Sequence, residues 1–156
     1  MTSLRNKIAI GALTGVLGMT GALVTWFEGR SLVAYLDPVG IPTICEGVTQ
    51  GVKLGDRATL AQCDQLLQRE LRIALTAVDR QVRVPLPDTR RAALGSFVYN
   101  VGEGQFSSST LLRLLNSGDV RGACAQLSRW VYAGGKQLAG LVNRRAAERE
   151  LCEVGL

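Results

Sequence analysis

The sequence predicts an α+β fold, mostly α: an apolar helix at the N-terminus, then a small strand-bearing lobe, then a helical lobe. Three observations carry it. Residues 8–27 run for 20 positions without a charge. Residues 33–45 hold two short β-prone runs around the turn Asp37-Pro38-Val39-Gly40. From Thr59 to the C-terminus, capping residues alternate with apolar residues spaced by three or four.

The apolar segment is preceded by Arg5 and Lys7 and ended by Glu28. Twenty residues at helical rise span about 30 Å, the thickness of one hydrocarbon core. Positive charge on the short flank predicts a cytoplasmic N-terminus with the remainder exported. Ten of the 20 residues are Gly, Ala or Thr. The large apolar residues gain only about 0.3–0.6 kcal/mol each on insertion, so the segment is a marginal anchor, able to enter a bilayer and to leave it. A cleaved signal peptide, with Thr20-Gly21-Ala22 as its small-x-small site, and a buried core helix are the competing readings.

Val33–Leu36 and Ile41–Cys45 read as strands, and Gly47, Gly51 and Gly55 keep the next stretch loop-like. Thr59 with Gln62 forms a capping-box pattern for a helix to about Val82. After Pro85-Leu86-Pro87, Asp88 can cap a helix through Val101, which Gly102 stops. Ser107 to Thr110 offer N-caps for a short helix ending before Gly118. Asp119 caps another reaching Trp130, Gly134-Gly135 breaks the chain, and a last helix covers about Leu138 to Cys152.

At 156 residues the chain suits one domain, and it contains no His. That removes Ser-His-Asp and Cys-His nucleophilic chemistry and His-ligated metals. The net charge of +5 suits an anionic partner, and +3 is left once Arg5 and Lys7 are set aside. Aromatics are 5% and the basic residues are scattered, so there is no base-stacking platform and no nucleic-acid partner is expected. Cys45, Cys63, Cys124 and Cys152 include no C-x-x-C pair, which argues against zinc. They allow three pairings. Cys45–Cys63 with Cys124–Cys152 is the economical one, each bridge worth about 2–4 kcal/mol in an oxidising compartment, with four buried thiols as the alternative.

Glu28 would follow Trp26-Phe27 at the end of the apolar helix, where desolvation raises a carboxyl towards the working range of a general acid. Asp37 lies in a turn, where water and backbone donors keep it ionised. Thr43, on the next strand, has a hydroxyl able to hold a water. Two carboxyls in contrasting environments make a glycosidase arrangement. Glu28-Gly29, Ala34-Tyr35-Leu36-Asp37 and Pro42-Thr43-Ile44 resemble the Glu–Asp–Thr triad of the phage lysozyme family, with its gaps of nine and six residues. Arg90 to Gly102, and Arg129 to Lys136 followed by Gly140-Leu141 and Arg144-Arg145, are similar to stretches of its lambdoid members.

The resemblance covers residues 28–156. It implies a lysozyme-like two-lobe catalytic domain behind a signal-anchor-release segment at 1–27. It also implies an inverting muramidase that cuts the β-1,4 bond between N-acetylmuramic acid and N-acetylglucosamine in peptidoglycan for host lysis. Glu28 would be the acid, with Asp37 and Thr43 orienting water. Asn100, Ser107 and Ser108 would meet the sugar chain, and no cofactor or metal is needed. The enzyme would be a monomer, held inactive in the host inner membrane by residues 8–27 and freed into the periplasm when a holin depolarises the membrane. Some relatives swap disulfides through an anchor cysteine; this anchor has none. The sequence departs from the family after Thr43, where Cys45-Glu46-Gly47-Val48 replaces a stretch that often ends in Gly-His, and Glu46 reads as a solvated surface residue. A membrane-anchored periplasmic module that binds glycans without cutting them would use the same lobes; the intact triad favours the enzyme.

Overall fold

The computed structural model describes residues 3–156. Where one apolar helix was expected over residues 8–27, there are two: α1 (Leu4–Ala12) and α2 (Gly15–Glu28). The break is local chemistry. Thr14 Oγ1 donates to the Gly11 carbonyl at 2.9 Å, and Gly15 takes a left-handed φ of 75°, which glycine adopts without steric cost. The two helices then touch backbone to backbone. A Cβ on Gly11 would stand 2.5 Å from the Gly18 carbonyl oxygen, and one on Gly18 2.3 Å from that of Gly11. The small residues that weaken an anchor are what allow the hairpin to close. Among the described residues, no helix is long and apolar enough to cross a membrane.

Val16, Met19, Thr20, Leu23 and Val24 of α2 are buried. Fully burying a side chain such as Leu23 is worth about 1.5–3 kcal/mol. The expected boundary between residues 27 and 28 lies inside this helix.

Strand β1 (Ser31–Leu36) pairs antiparallel with β2 (Pro42–Cys45), with Tyr35 opposite Thr43 and Leu36 opposite Pro42. The following loop folds back onto β1, where Ala34 N–H donates to the Asp56 carbonyl and Ala58 N–H to that of Leu32. Ala34, Ile44, Cys45, Val48 and Cys63 form the small core of this lobe. The Cys45–Cys63 disulfide fixes β2 to the long helix α3 (Leu60–Gln81). Helix α3 starts on the expected capping box: Thr59 Oγ1 accepts from Gln62 N–H, and Gln62 Oε1 from Thr59 N–H.

Helix α4 (Asp88–Val101) is the axis of the helical lobe, buried continuously from Ala92 to Val98. Asp88 lies in its first turn, and Pro87 takes the cap position. The short helix α5 (Glu103–Ser107) was not anticipated. Ser109 caps α6 (Thr110–Asn116) and Asp119 caps α7 (Val120–Gln126). The chain reaches Trp130 through a 3₁₀ turn, Leu127–Arg129. Gly134-Gly135 makes a two-residue hairpin between β3 (Tyr132–Ala133) and β4 (Lys136–Gln137). The last helix, α8 (Ala139–Cys152), is tied to α7 by Cys124–Cys152, so both economical disulfides form.

A Cβ on Gly95 of α4 would lie 2.7 Å from Leu75 Cδ2 and 3.1 Å from Thr20 Cγ2, at the point where α2, α3 and α4 meet. Gly95→Ala is therefore expected to lose about 1–3 kcal/mol by overpacking, read as a lower urea midpoint with an unchanged m value.

Candidate active site

A groove of about 390 Å³ opens between the lobes. Gly47, Val48, Thr49 and Gln50 line it on the small-lobe side, Glu70, Ile73 and Ala77 along α3, and Val98, Tyr99, Gly102 and Glu103 on the helical side.

Glu28 is the last residue of α2, and Gly29 closes the helix behind it. Its carboxylate is not surrounded by apolar surface, as the sequence suggested. Arg144 of α8 donates through Nη1 to Glu28 Oε1 at 2.5 Å, and its guanidinium also lies 6.0 Å from the Phe27 ring. The other oxygen faces Gly47, where an added Cβ would come within 3.6 Å of Glu28 Oε2. The departure from expectation is tertiary: α8 delivers a cation from 116 residues away.

Asp37 opens the β1–β2 turn. Its Oδ1 accepts from the N–H groups of Val39 at 2.9 Å and Ile41 at 2.8 Å, the backbone donation expected of an ionised turn carboxylate. Among the described residues, no donor is found for its Oδ2. Thr43 is buried and donates its hydroxyl to the Ile41 carbonyl at 2.9 Å, so its oxygen lone pairs remain to accept. Asp37 N–H bonds the Ile41 carbonyl, which makes Asp37 and Thr43 diagonal neighbours across the hairpin, about 7–8 Å apart at Cα.

Asn100 is exposed at the end of α4, and its Oδ1 accepts from Arg145 Nη2 at 2.9 Å. Ser107 and Ser108 turn their hydroxyls back to backbone carbonyls, of Glu103 at 2.8 Å and Gly104 at 3.3 Å. None of these three, nor Glu28, Asp37 or Thr43, is among the residues lining the groove, although Gly47 beside Glu28 and the neighbours Tyr99, Gly102 and Glu103 are.

Glu46 is a correction. It is fully buried rather than solvated. Its Oε1 pairs with Arg30 Nη2 at 2.5 Å, and the same Arg30 nitrogen reaches Asp64 at 2.8 Å. Its carbonyl accepts from the Tyr99 hydroxyl at 2.7 Å, so Glu46 ties the loop carrying Gly47 to α4. Burial pushes the Tyr99 phenol well above its ordinary range, with Glu28, Glu46 and Glu70 acting in the same direction. Cys45, Glu46 and Cys63 lie close together, but both sulfurs are consumed in the disulfide and offer no metal a ligand.

The charges behind Glu28 are not anticipated by residue pattern. Arg144, Arg145 and Glu148 of α8 are all buried. Glu148 Oε1 accepts from Arg144 Nε at 3.1 Å and from Ser96 Oγ at 2.7 Å. Arg145 Nε is 3.0 Å from Glu148 Oε2, close enough to pair as an ion but not aligned as a hydrogen bond. Burial lowers Arg145 to about 10, against the pull of Glu148. Burial likewise raises Glu148, while Arg145, Arg144 and Ser96 draw it back. The available signal was the i, i+4 pair Arg144–Glu148 on a face shared with Leu151 and Cys152, a place where solvated charges do not belong.

A small strand-bearing lobe and a helical body joined by one long helix, with an open groove between them, define the class as a lysozyme-like fold. The family model described as Phage lysozyme matches residues 25–148. The SAR-endolysin of Enterobacteria phage PA-2 is 44% identical over 157 residues, covering 96% of this chain and 95% of its own. Among solved structures, the active form of the P1 phage endolysin Lyz superposes with a TM-score of 0.79 at 27% identity, covering 93% of this chain and 92% of that one. The secreted inactive form of the P1 endolysin reaches only 0.52 at 26% identity, over 66% and 74%. The chain belongs to the phage lysozyme family, and it is a lysozyme, a glycoside hydrolase whose substrate is peptidoglycan.

Removing the Tyr99 hydroxyl leaves the buried Glu46 carbonyl without that donor. Tyr99→Phe is expected to lower stability by about 1 kcal/mol in urea unfolding.

Proposed function

We propose that the chain is an endolysin muramidase that hydrolyses the β-1,4 bond between N-acetylmuramic acid and N-acetylglucosamine with inversion. The observation that carries it is the pair of carboxyls in contrasting settings, Glu28 oriented by Arg144 and Asp37 by two backbone N–H groups. Glu28 protonates the departing glycosidic oxygen. Asp37 takes a proton from a water that also donates to Thr43, and that water attacks the opposite face of the sugar. Asn100 contributes its free amide nitrogen to the glycan, since Arg145 occupies its Oδ1. Ser107 and Ser108 meet the chain further along, beyond Glu103. Charge +3 on residues 8–156 suits an anionic wall. A glycan-binding module without hydrolysis gains no support, because such a module needs neither an acid nor a held water.

Residues 1–27 act as a signal-anchor-release segment and residues 28–156 as the catalytic domain. In the tethered state residues 8–27 lie in the host inner membrane with the N-terminus cytoplasmic, and the protein is an inactive monomer. Depolarisation by a holin lets the segment leave and fold as the α1–α2 hairpin. Because Glu28 ends α2, the acid reaches Arg144 only when α2 is seated in the helical core. The greater similarity to the active than to the inactive P1 endolysin supports assigning this conformation to the released enzyme.

Purified protein is expected to clear outer-membrane-permeabilised Gram-negative cells and to leave reducing ends, while Glu28→Gln and Asp37→Asn lose at least about 100-fold of the rate, in the range set by general acid–base catalysis. Clearing by Glu28→Gln at the wild-type rate would remove the acid assignment. An anhydro-sugar product would point to a transglycosylase.

Gly15→Leu with Gly18→Leu adds apolar bulk and obstructs the Gly11–Gly18 contact, so lysis in cells is expected to be delayed. Lysis on the wild-type schedule would overturn control by the anchor.

A further inference from the structure

We propose that Glu148 is a positioning residue for the catalytic acid: its buried carboxylate grips Arg144 so that the guanidinium presents Nη1 to Glu28 and shares its charge between the two carboxylates. The proposal rests on Glu28 being the acid. Arg144 makes four contacts that leave it one orientation: Nη1 to Glu28 Oε1, Nε to Glu148 Oε1, and Nη2 to both the carbonyl and the hydroxyl of Ser96. Glu148 is bonded to Arg144, Arg145 and Ser96, so it reaches Glu28 through Arg144. A buried carboxylate between two guanidiniums, with its hydroxyl donor supplied by α4, is costly to build. Apolar residues of similar size would stabilise α8 as well or better, which points to a role other than stability.

The charge balance explains what that role achieves. Arg144 pairs with Glu28 from α8, Arg145 follows it in the chain, and Glu148 contacts both guanidiniums from the same helix. From α4 come Ser96, bonded to Arg144, and Tyr99, whose phenol bonds the Glu46 carbonyl and feels the charge of Glu28. A general acid must hold its proton to donate it. Guanidinium charge left unopposed beside a carboxyl favours its ionised form. Glu148 takes up that excess charge while keeping Arg144 in place to orient the carboxyl. Its partnership with Arg145 extends the same frame to Asn100.

The sign follows. Neutralising Glu148 leaves both cations acting on Glu28, so the acid is lost as pH rises through a lower value. The experiment is the pH dependence of kcat and KM on solubilised peptidoglycan for wild type, Glu148→Gln, Glu148→Asp and Glu28→Gln. In Glu148→Gln the alkaline limb is expected to move down by about one pH unit, a tenfold loss of kcat above it, with KM within about twofold of wild type. Glu148→Asp keeps the charge but withdraws it by one methylene, so its limb moves the same way by less. A purely structural Glu148 would lower stability and leave the limb where it is. A folded Glu148→Gln whose limb superimposes on wild type overturns the proposal. If that variant does not fold, an unmoved limb in Glu148→Asp overturns it equally. An active Glu28→Gln would dispose of the acid assignment and the proposal together, whereas an inactive one beside an unmoved Glu148→Gln limb disposes of the positioning role alone.

Discussion

Helix α2 fits against α3, α4 and α8 only because its crossing positions carry so little bulk, and it ends on Glu28, the acid of the proposed mechanism. A Cβ on Gly21 of α2 would stand 3.3 Å from Leu71 Cδ1 of α3, and Gly95 of α4 leaves room for Thr20. Thr20 satisfies its hydroxyl within its own helix by donating to the Val16 carbonyl at 2.7 Å, so it can be buried without a further partner. Once α2 is seated, Glu28 emerges beside Arg144. A shift of one helical turn would move its carboxyl by about 5.4 Å, well beyond ion-pair reach.

That seat is also where apolar packing hands over to charge. The interior of the helical lobe runs from the edge-on contacts of Phe97 with Phe106 and Trp130 to the guanidinium of Arg145, 5.0 Å from the Phe97 ring. A charged pair placed there is desolvated and cannot relax into water, so each member must be matched by geometry. Glu148 and Ser96 supply that match on one side and Glu28 on the other. The second buried acid, Glu46, plays the corresponding part for the small lobe. Arg30 neutralises it and Tyr99 holds its carbonyl, which keeps Gly47 beside Glu28. The two lobes meet through polar groups with fixed directions, whereas an apolar seam would leave their relative position less defined.

Short-range information was legible because the forces are short-range. Thr59 and Gln62, the Asp37–Gly40 turn, the stop at Gly102 and the end of α8 at Cys152 are settled by residues within one helical turn of each other. The two small-loop disulfides formed as the spacing suggested. Glu28, Asp37 and Thr43 resemble the family's triad through their intervals. The apolar run over residues 8–27 was read as one helix because charge and hydropathy along the chain cannot register that Gly11 and Gly18 find each other only when Gly15 reverses the chain. Glu46 was read as solvated for the same reason: its partners Arg30 and Tyr99 lie 16 and 53 residues away.

Patterning along the chain thus carried a small sheet before a helical body, the lack of histidine, the capped helices, and the family through three separated motifs. Only the tertiary structure decided that the N-terminal segment folds as a hairpin against the body. It also decided that Glu28 is framed by Arg144 instead of apolar surface, and that Glu148 and Glu46 lie buried behind the groove. The physical reason is range. Caps, turns and periodicity are set by neighbours along the chain, while the cost of burying a charge depends on partners that only the packed fold brings within hydrogen-bonding distance.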